Sequence, residues 1–238
     1  MSIAENHGGM YRNLKLLRET NGQAECNLFK AMGLAYVYVD KGNDIAALIE
    51  TFKKVKDSKT PVVVHINTLK GKGYAPAEQN KEAWHYCAPF DIETGKSLFV
   101  PTGEDYSSVT RDYLLEKMKK DPRVVAITSA TPTVMGFTED KRKEAGSQFI
   151  DVGIAEETAV AVASGIAANG GKPVYGVYST FVQRTFDQIS QDLCINNNPA
   201  TIVTFWGSVY GMNDVTHLGL QDTPMPSNIA NLVSLATT

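Results

Sequence analysis

Apolar and polar positions along the first third of the chain predict two strands on either side of a helix. Residues 34–39 and 61–67 are rich in apolar and β-branched residues, which is typical of buried strands. Residues 45–56 between them have apolar positions at helical spacing. This order predicts a βαβ unit with a parallel strand pair. A long helix over residues 12–33 is expected to precede the unit.

The second part of the chain alternates short apolar runs with helical runs. Strands are predicted at 124–128, 149–152, 172–178 and 201–205. Helices are predicted at 106–120, 155–168 and 181–193, with Ser179 and Thr180 as N-cap residues of the last. This alternation predicts an α/β fold with parallel sheets flanked by helices.

The stretch from residue 74 to about residue 104 separates the two parts. It is rich in Pro, Gly and charged residues and shows no periodicity. That composition is typical of a linker, in this case one long enough to fold over a site.

Two of the predicted strand-to-helix turns carry side chains suited to chemistry. Glu156 follows the strand at 149–152, and Phe181 and Arg184 follow the strand that ends at Tyr178. Ligands of open α/β sheets bind at the carboxyl ends of strands, and a helix N-terminus favours an anion. The pattern therefore indicates an active site. The alternative is that Glu156 and Glu157 are simply acids in the first turn of a helix.

Several segments resemble one enzyme family. Residues 151–156, residues 177–184 with Asp187 and Gln188, and residues 216–219 resemble the pyrimidine-binding domain of 1-deoxy-D-xylulose-5-phosphate synthases, which are thiamine-diphosphate enzymes of the transketolase superfamily. Residues 65–78 and 84–85 resemble the end of the same family's diphosphate-binding domain, in the same order. The resemblance covers essentially the whole chain.

The resemblance implies a thiamine-diphosphate-binding fold and a domain order. Residues 1–80 would be the C-terminal part of the diphosphate-binding domain, residues 81–104 a linker, and residues 105–238 a pyrimidine-binding domain that is incomplete at its C-terminus. The family's Gly-Asp-Gly metal motif does not occur, and Gly42-Asn43-Asp44 is better interpreted as a loop and helix cap. We therefore expect an internal or truncated portion of a larger enzyme.

Cofactor-binding and catalytic roles follow from the resemblance alone. It implies that the Glu156 carboxyl group binds the aminopyrimidine ring of thiamine diphosphate and that Phe181 stacks on that ring. It also places His217 and His85 near the reacting carbon, and Tyr74 and Lys70 beside the cofactor. The alternatives are a core phenylalanine, structural histidines and solvated loop residues.

Substrate and metal roles follow in the same way. Tyr178, Arg184 and Asn213 correspond to residues that bind substrate, and the main-chain carbonyl of Met1 corresponds to a ligand of Mg²⁺. Arg184 could instead cap or pair on its own helix.

Some positions depart from the family pattern. The family's Ala-Glu-Gln-His is Ala155-Glu156-Glu157-Thr158 here, and Trp206 stands where an arginine would bind the phosphate of the acceptor. Replacing a cation by an indole removes a good phosphate partner. These departures indicate an altered choice of acceptor.

The function that the resemblance implies is condensation of pyruvate with glyceraldehyde 3-phosphate to 1-deoxy-D-xylulose 5-phosphate and carbon dioxide. The alternatives are transketolase-like ketol transfer, which releases no carbon dioxide, and an inactive fragment that lacks the metal-diphosphate site. By analogy with the family we expect a homodimer.

Charge and hydropathy limit the kinds of partner that we expect for the protein. The net charge is −3 and no basic stripe occurs, which disfavours nucleic acid. No apolar run approaches twenty residues and no signal peptide is evident, so we expect a cytoplasmic protein without a membrane partner.

Overall fold

The computed structural model describes residues 8–99, 103–207, 217–220 and 224–236. The chain divides into two compact units, residues 2–102 and residues 103–238. The predicted domain limits at residues 80 and 105 stay a prediction.

The first unit contains the βαβ arrangement that the sequence predicts. Its helices and strands, in chain order, are α1 (Gly8–Glu19), α2 (Leu28–Ala31), β1 (Ala35–Val39), α3 (Ile45–Val55), β2 (Val62–Ile66) and α4 (Ala75–Gln79). Strands β1 and β2 are parallel, with Ala35 opposite Val62 and Val39 opposite Ile66. The Asp44 carboxylate caps α3 by accepting from the N–H groups of Ala46 and Ala47. Its predicted role as a helix cap is confirmed.

The predicted single helix over residues 12–33 is wrong, because the chain turns between α1 and α2. Gly22 lies in the turn with φ of +79°, and a Cβ atom there would come within 2.5 Å of Tyr38 Cβ. The Asn27 side chain then accepts from the N–H groups of Phe29 and Lys30 and begins a new helix. The glycine turn and the asparagine cap together end one helix and start another.

The second unit is built on a four-stranded parallel sheet with the strand order β4-β3-β5-β6. Its strands are β3 (Val124–Thr128), β4 (Phe149–Asp151), β5 (Lys172–Tyr178) and β6 (Thr201–Phe205). Its α-helices are α5 (Tyr106–Lys120), α6 (Glu139–Ala145), α7 (Glu156–Ala168), α8 (Phe186–Gln188) and α9 (Pro224–Ser227). Short 3₁₀ turns lie at Pro132–Met135, Gly146–Gln148 and Val182–Thr185. The four strands predicted for this part of the chain are confirmed.

Apolar residues cover both faces of this sheet. One cluster joins Ile127 and Val177 of the strands to the Ala159, Val160 and Ala163 face of α7. The other cluster joins the opposite face of the sheet to α5, and its members include Val124, Ala126, Leu114, Leu115 and Met118. Alternation of side chains along a strand produces the two clusters. The predicted α/β class with a parallel sheet flanked by helices is confirmed.

The prediction of one regular helix over residues 181–193 is wrong. A 3₁₀ turn and the short α8 lead into a π-helical segment, Ile189–Ile195. Ser179 and Thr180 do not cap it, because Ser179 Oγ donates to the carbonyl of Trp206 at 3.2 Å and Thr180 Oγ1 makes no hydrogen bond within the described residues. The carbonyl of Asp192 accepts from Ser164 Oγ of α7 at 2.7 Å, so contacts with a neighbouring helix compete with regular α-helical bonding.

Candidate active site

Asp151 organises the carboxyl edge of the sheet in the second unit. Its Oδ1 atom accepts from the N–H groups of Ala130 and Gly153, each at 2.9 Å. Ala130 follows β3 with φ of 62°, and Gly153 follows β4 with φ of 80°. One carboxylate therefore holds two loops in left-handed turns, and the second of these loops leads directly into α7.

Glu156 is the first residue of α7 and is only 3% exposed. Its Oε2 atom lies 3.4 Å from Arg184 Nη1, within ion-pair distance, but it makes no hydrogen bond within the described residues. A buried carboxylate oxygen without a hydrogen bond is unfavourable unless a ligand supplies one. The predicted position at the strand-to-helix turn is confirmed, and the burial sets Glu156 apart from an ordinary surface acid.

Arg184 contacts two acidic side chains of α7. Besides Glu156, its Nε atom donates to Glu157 Oε1 at 3.3 Å. The Arg184 side chain is 57% exposed and that of Glu157 is 39% exposed. The pairing predicted as an alternative therefore occurs, although the partners belong to a different helix. The predicted substrate-binding role of Arg184 stays a prediction.

Three of the predicted site residues form an aromatic group. The ring centroid of Phe181 lies 5.2 Å from that of His217, with the planes at 66°, and 5.4 Å from that of Tyr178, at 78°. Phe181 also packs against the core cluster beside α7. It is therefore partly a core residue, as the alternative interpretation expected, and partly a ring held next to His217. These edge-to-face contacts fix the orientation of the rings.

A buried tyrosine and serine lie under this edge, and the sequence pattern did not indicate them as a pair. The hydroxyl groups of Tyr175 in β5 and Ser129 after β3 are 2.8 Å apart, and both residues are almost fully buried. Burial raises the pKa of Tyr175 above its usual value, and the charges of Glu156 and Glu157 raise it further. The sequence signal for this pair was Tyr175 within a predicted buried strand, since a buried hydroxyl group needs a hydrogen-bond partner.

The site residues predicted in the first unit are Lys70, Tyr74 and His85. Lys70 Nζ hydrogen-bonds His85 Nδ1. Tyr74 packs against Trp84 and Phe90, with ring centroids 5.0 and 5.7 Å away, and its hydroxyl donates to the carbonyl of Ile92 at 3.1 Å. Lys70 and His85 are thus brought together, and Tyr74 belongs to a small aromatic cluster. Their roles at a cofactor stay predictions.

Asn213 and Met1, predicted for substrate and metal binding, lie outside the described residues. Within the ranges that the structure describes, no group of three or more His, Cys, Asp or Glu side chains could hold a metal ion.

An open cavity of about 530 Å³ lies where β1 and β2 end, and the residues around it are Asp40, Lys41, Gly42, Asn43, Asp44, Asn67, Thr68, Leu69 and Lys72. Among the described helices, none is long and apolar enough to cross a membrane.

Comparison with family models assigns both parts of the chain. The model described as the pyrimidine-binding domain of transketolase matches residues 103–237, and the model described as 1-deoxy-D-xylulose-5-phosphate synthase matches residues 3–68. Because the first match covers more than half of the chain, the chain belongs to the family with the transketolase pyrimidine-binding domain.

The similar curated proteins are 1-deoxy-D-xylulose-5-phosphate synthases. Synthase 1 of Geobacter sulfurreducens is 39% identical over 210 residues, which are 88% of this chain and 33% of that protein. The synthase of Halothermothrix orenii is 40% identical over 209 residues, with the same coverage. The synthase of Helicobacter pylori strain G27 is 40% identical over 214 residues, 87% of this chain and 34% of that protein. The chain thus spans about one third of the length of these relatives.

Solved transketolases are more distant. A transketolase of Pichia stipitis in complex with sedoheptulose 7-phosphate is 15% identical, with a TM-score of 0.44 over 82% of this chain and 41% of that chain. A split-gene transketolase described as an inactive β4 tetramer is 19% identical, with a TM-score of 0.43 over 53% of this chain and 40% of that chain. The fold assignment rests on the family match and on the sheet topology of this chain.

Proposed function

We propose that this chain carries the pyrimidine-binding site of a thiamine-diphosphate-dependent transferase. In the reaction, pyruvate condenses with an aldehyde and carbon dioxide is released, and glyceraldehyde 3-phosphate as the acceptor gives 1-deoxy-D-xylulose 5-phosphate. The observation that carries the proposal is the buried Glu156 carboxylate, which has an oxygen without a hydrogen bond at the carboxyl edge of the sheet. The similarity to 1-deoxy-D-xylulose-5-phosphate synthases supports it.

Glu156 fits the aminopyrimidine ring of the cofactor. A protonated ring nitrogen would give Oε2 the hydrogen bond that it lacks within the described residues. The cofactor, when bound, supplies a nucleophilic carbon and an electron sink for decarboxylation. Glu156 would hold the ring and stabilise a proton on its nitrogen, and burial strengthens that interaction because water is excluded.

The aromatic group beside Glu156 would orient the ligand. Phe181 is held from two sides by Tyr178 and His217, so its ring can offer a fixed apolar surface to a planar ligand. His217 is a candidate for moving protons, since an imidazole can both donate and accept a proton. Lys70, Tyr74 and His85 are proposed to contribute the cofactor and catalytic contacts of the first unit.

Magnesium, a homodimer and a cytoplasmic location complete the proposal. Magnesium and the homodimer rest on the resemblance to the family, and the cytoplasmic location rests on the hydropathy of the sequence. The described residues show no side-chain cluster for Mg²⁺, and the Met1 carbonyl stays a proposed ligand.

The test is a turnover assay with ¹³C-labelled pyruvate and glyceraldehyde 3-phosphate in the presence of thiamine diphosphate and Mg²⁺. The purified 238-residue chain should release labelled carbon dioxide and form 1-deoxy-D-xylulose 5-phosphate. Glu156→Gln should lower the rate by at least about a hundredfold, the lower range for loss of a group that assists proton transfer.

Three outcomes of this assay would count against the proposal. Ketol transfer without carbon dioxide would favour the transketolase-like alternative. A folded chain without turnover would favour the inactive-fragment alternative. Equal rates for the wild type and Glu156→Gln would remove Glu156 from the mechanism.

A further inference from the structure

Arg184 is the only Lys or Arg in the sequence segments that directly follow the four strands of the second unit. The segments that follow its four strands, residues 129–138, 152–168, 179–188 and 206–220, contain no other Lys or Arg. Residues 185–238 contain neither Lys nor Arg, although they include four aspartates. Arg184 is therefore the basic side chain that these segments supply for an anion at this edge.

The structure shows that two carboxylates already contact this arginine. Glu157 accepts from Arg184 Nε at 3.3 Å, and Glu156 Oε2 lies 3.4 Å from Arg184 Nη1. With both acids ionised, the three side chains have a net charge of −1. A phosphate group has about −1.5 to −2 charges at neutral pH, so it would meet a site of its own sign.

Glu157 is the member of this group that is not needed for the proposed cofactor contact. Its side chain is 39% exposed to solvent. A glutamine would have the same size without the charge. Trp206, at the end of β6, adds an exposed indole rather than a cation to the same edge.

We propose that Glu157 is a specificity-determining residue, which neutralises Arg184 and so makes this edge select an unphosphorylated aldehyde over an aldose phosphate as acceptor. The inference rests on the proposed function and narrows its acceptor class. Exposed ion pairs contribute little to folding stability, so the effect of Glu157 is expected in ligand choice rather than in the fold.

The first experiment measures phosphate binding without cofactor or turnover. Inorganic phosphate is titrated into the purified wild type and each variant, and its dissociation constant is measured by phosphorus NMR. Glu157→Gln should bind phosphate about tenfold more tightly than the wild type, because one repulsive charge close to the anion is removed. The gain should be absent in Glu157→Asp, which keeps the charge, and in the double variant Glu157→Gln/Arg184→Gln.

The second experiment measures kcat/KM for glyceraldehyde and for glyceraldehyde 3-phosphate. Glu157→Gln should shift the ratio about tenfold toward the phosphorylated acceptor, in line with the binding change. Equal phosphate affinity in the wild type and Glu157→Gln, or a gain that persists in Glu157→Gln/Arg184→Gln, would overturn the inference. Because the phosphate titration needs no thiamine diphosphate, its result is independent of whether the proposed reaction occurs.

Discussion

Glu156 combines two properties that are unfavourable for folding on their own. The residue is 3% exposed, and one of its carboxylate oxygens makes no hydrogen bond within the described chain. The Arg184 guanidinium at 3.4 Å offsets part of the desolvation, and the N-terminus of α7 favours a negative charge at its first residue. A structure that keeps a carboxylate in this state is consistent with a ligand that binds it.

The Tyr175–Ser129 hydrogen bond should contribute measurably to stability. Tyr175→Phe would leave the buried Ser129 hydroxyl without its partner, at a cost of about 1–2 kcal/mol in the free energy of unfolding. Urea denaturation of both proteins at pH 8 measures this difference. Ser129→Ala/Tyr175→Phe should lose less than the sum of the two single variants. Additive losses would show that the two hydroxyls do not interact.

The raised pKa of Tyr175 predicts how the free energy of unfolding changes at alkaline pH. Burial raises the pKa of Tyr175 in the folded state above the unfolded value of about 10, so above pH 10 the unfolded chain loses this proton first. The native state then binds more protons than the unfolded state, and stability falls as the pH rises. The phenylalanine variant lacks this contribution, so the difference between the two proteins should narrow between pH 10 and pH 11.

The candidate residues differ in how well the sequence alone could identify them. Glu156 and Phe181 follow predicted strands, so their position at one edge of the sheet was predictable. The Tyr175–Ser129 bond was not, because it joins residues 46 positions apart and depends on the pairing of β3 with β5. The contact between Arg184 and Glu157 likewise depends on the packing of the segment after β5 against α7.

Helix α5 depends on a cap that can be tested alone. The Asp105 side chain accepts from the N–H of Ser108, and the Ser108 side chain interacts with Asp105 in return. The Ser108 backbone bond lowers the pKa of Asp105. Asp105→Ala should cost about 0.5–2 kcal/mol of unfolding free energy, and Glu104→Ala, at the neighbouring exposed position, should cost much less. Equal losses measured by thermal denaturation would contradict the role of the cap.

At the level of elements, the strands were more predictable than the helices. Short apolar runs identified the six strands of the described residues, because apolar and β-branched residues are concentrated in them. The helices predicted over 12–33 and 181–193 fail for local reasons. A positive φ at Gly22 with the cap at Asn27 divides the first, and contacts of Asp192 with α7 distort the second. Periodicity does not report such interruptions.

At the scale of the whole molecule, two family models match separate parts of the chain. Family models match residues 3–68 and 103–237, and the chain spans about one third of the length of the similar synthases. The fold class and the family were predictable because the motifs occur in a fixed order. The metal and substrate positions at Met1 and Asn213 lie outside the described residues, so those two assignments still depend on the resemblance.

The most direct measurement is a calorimetric titration of the purified chain with thiamine diphosphate and Mg²⁺, with Glu156→Gln and Glu157→Gln as matched variants. We expect saturable binding by the wild type. Glu156→Gln should weaken it about tenfold or more, because a hydrogen bond to a charged group is lost, and Glu157→Gln should leave it within about twofold. No binding by a chain that circular dichroism shows to be folded, or equal weakening by both variants, would contradict the assignment of Glu156 as the residue that binds the cofactor's pyrimidine ring.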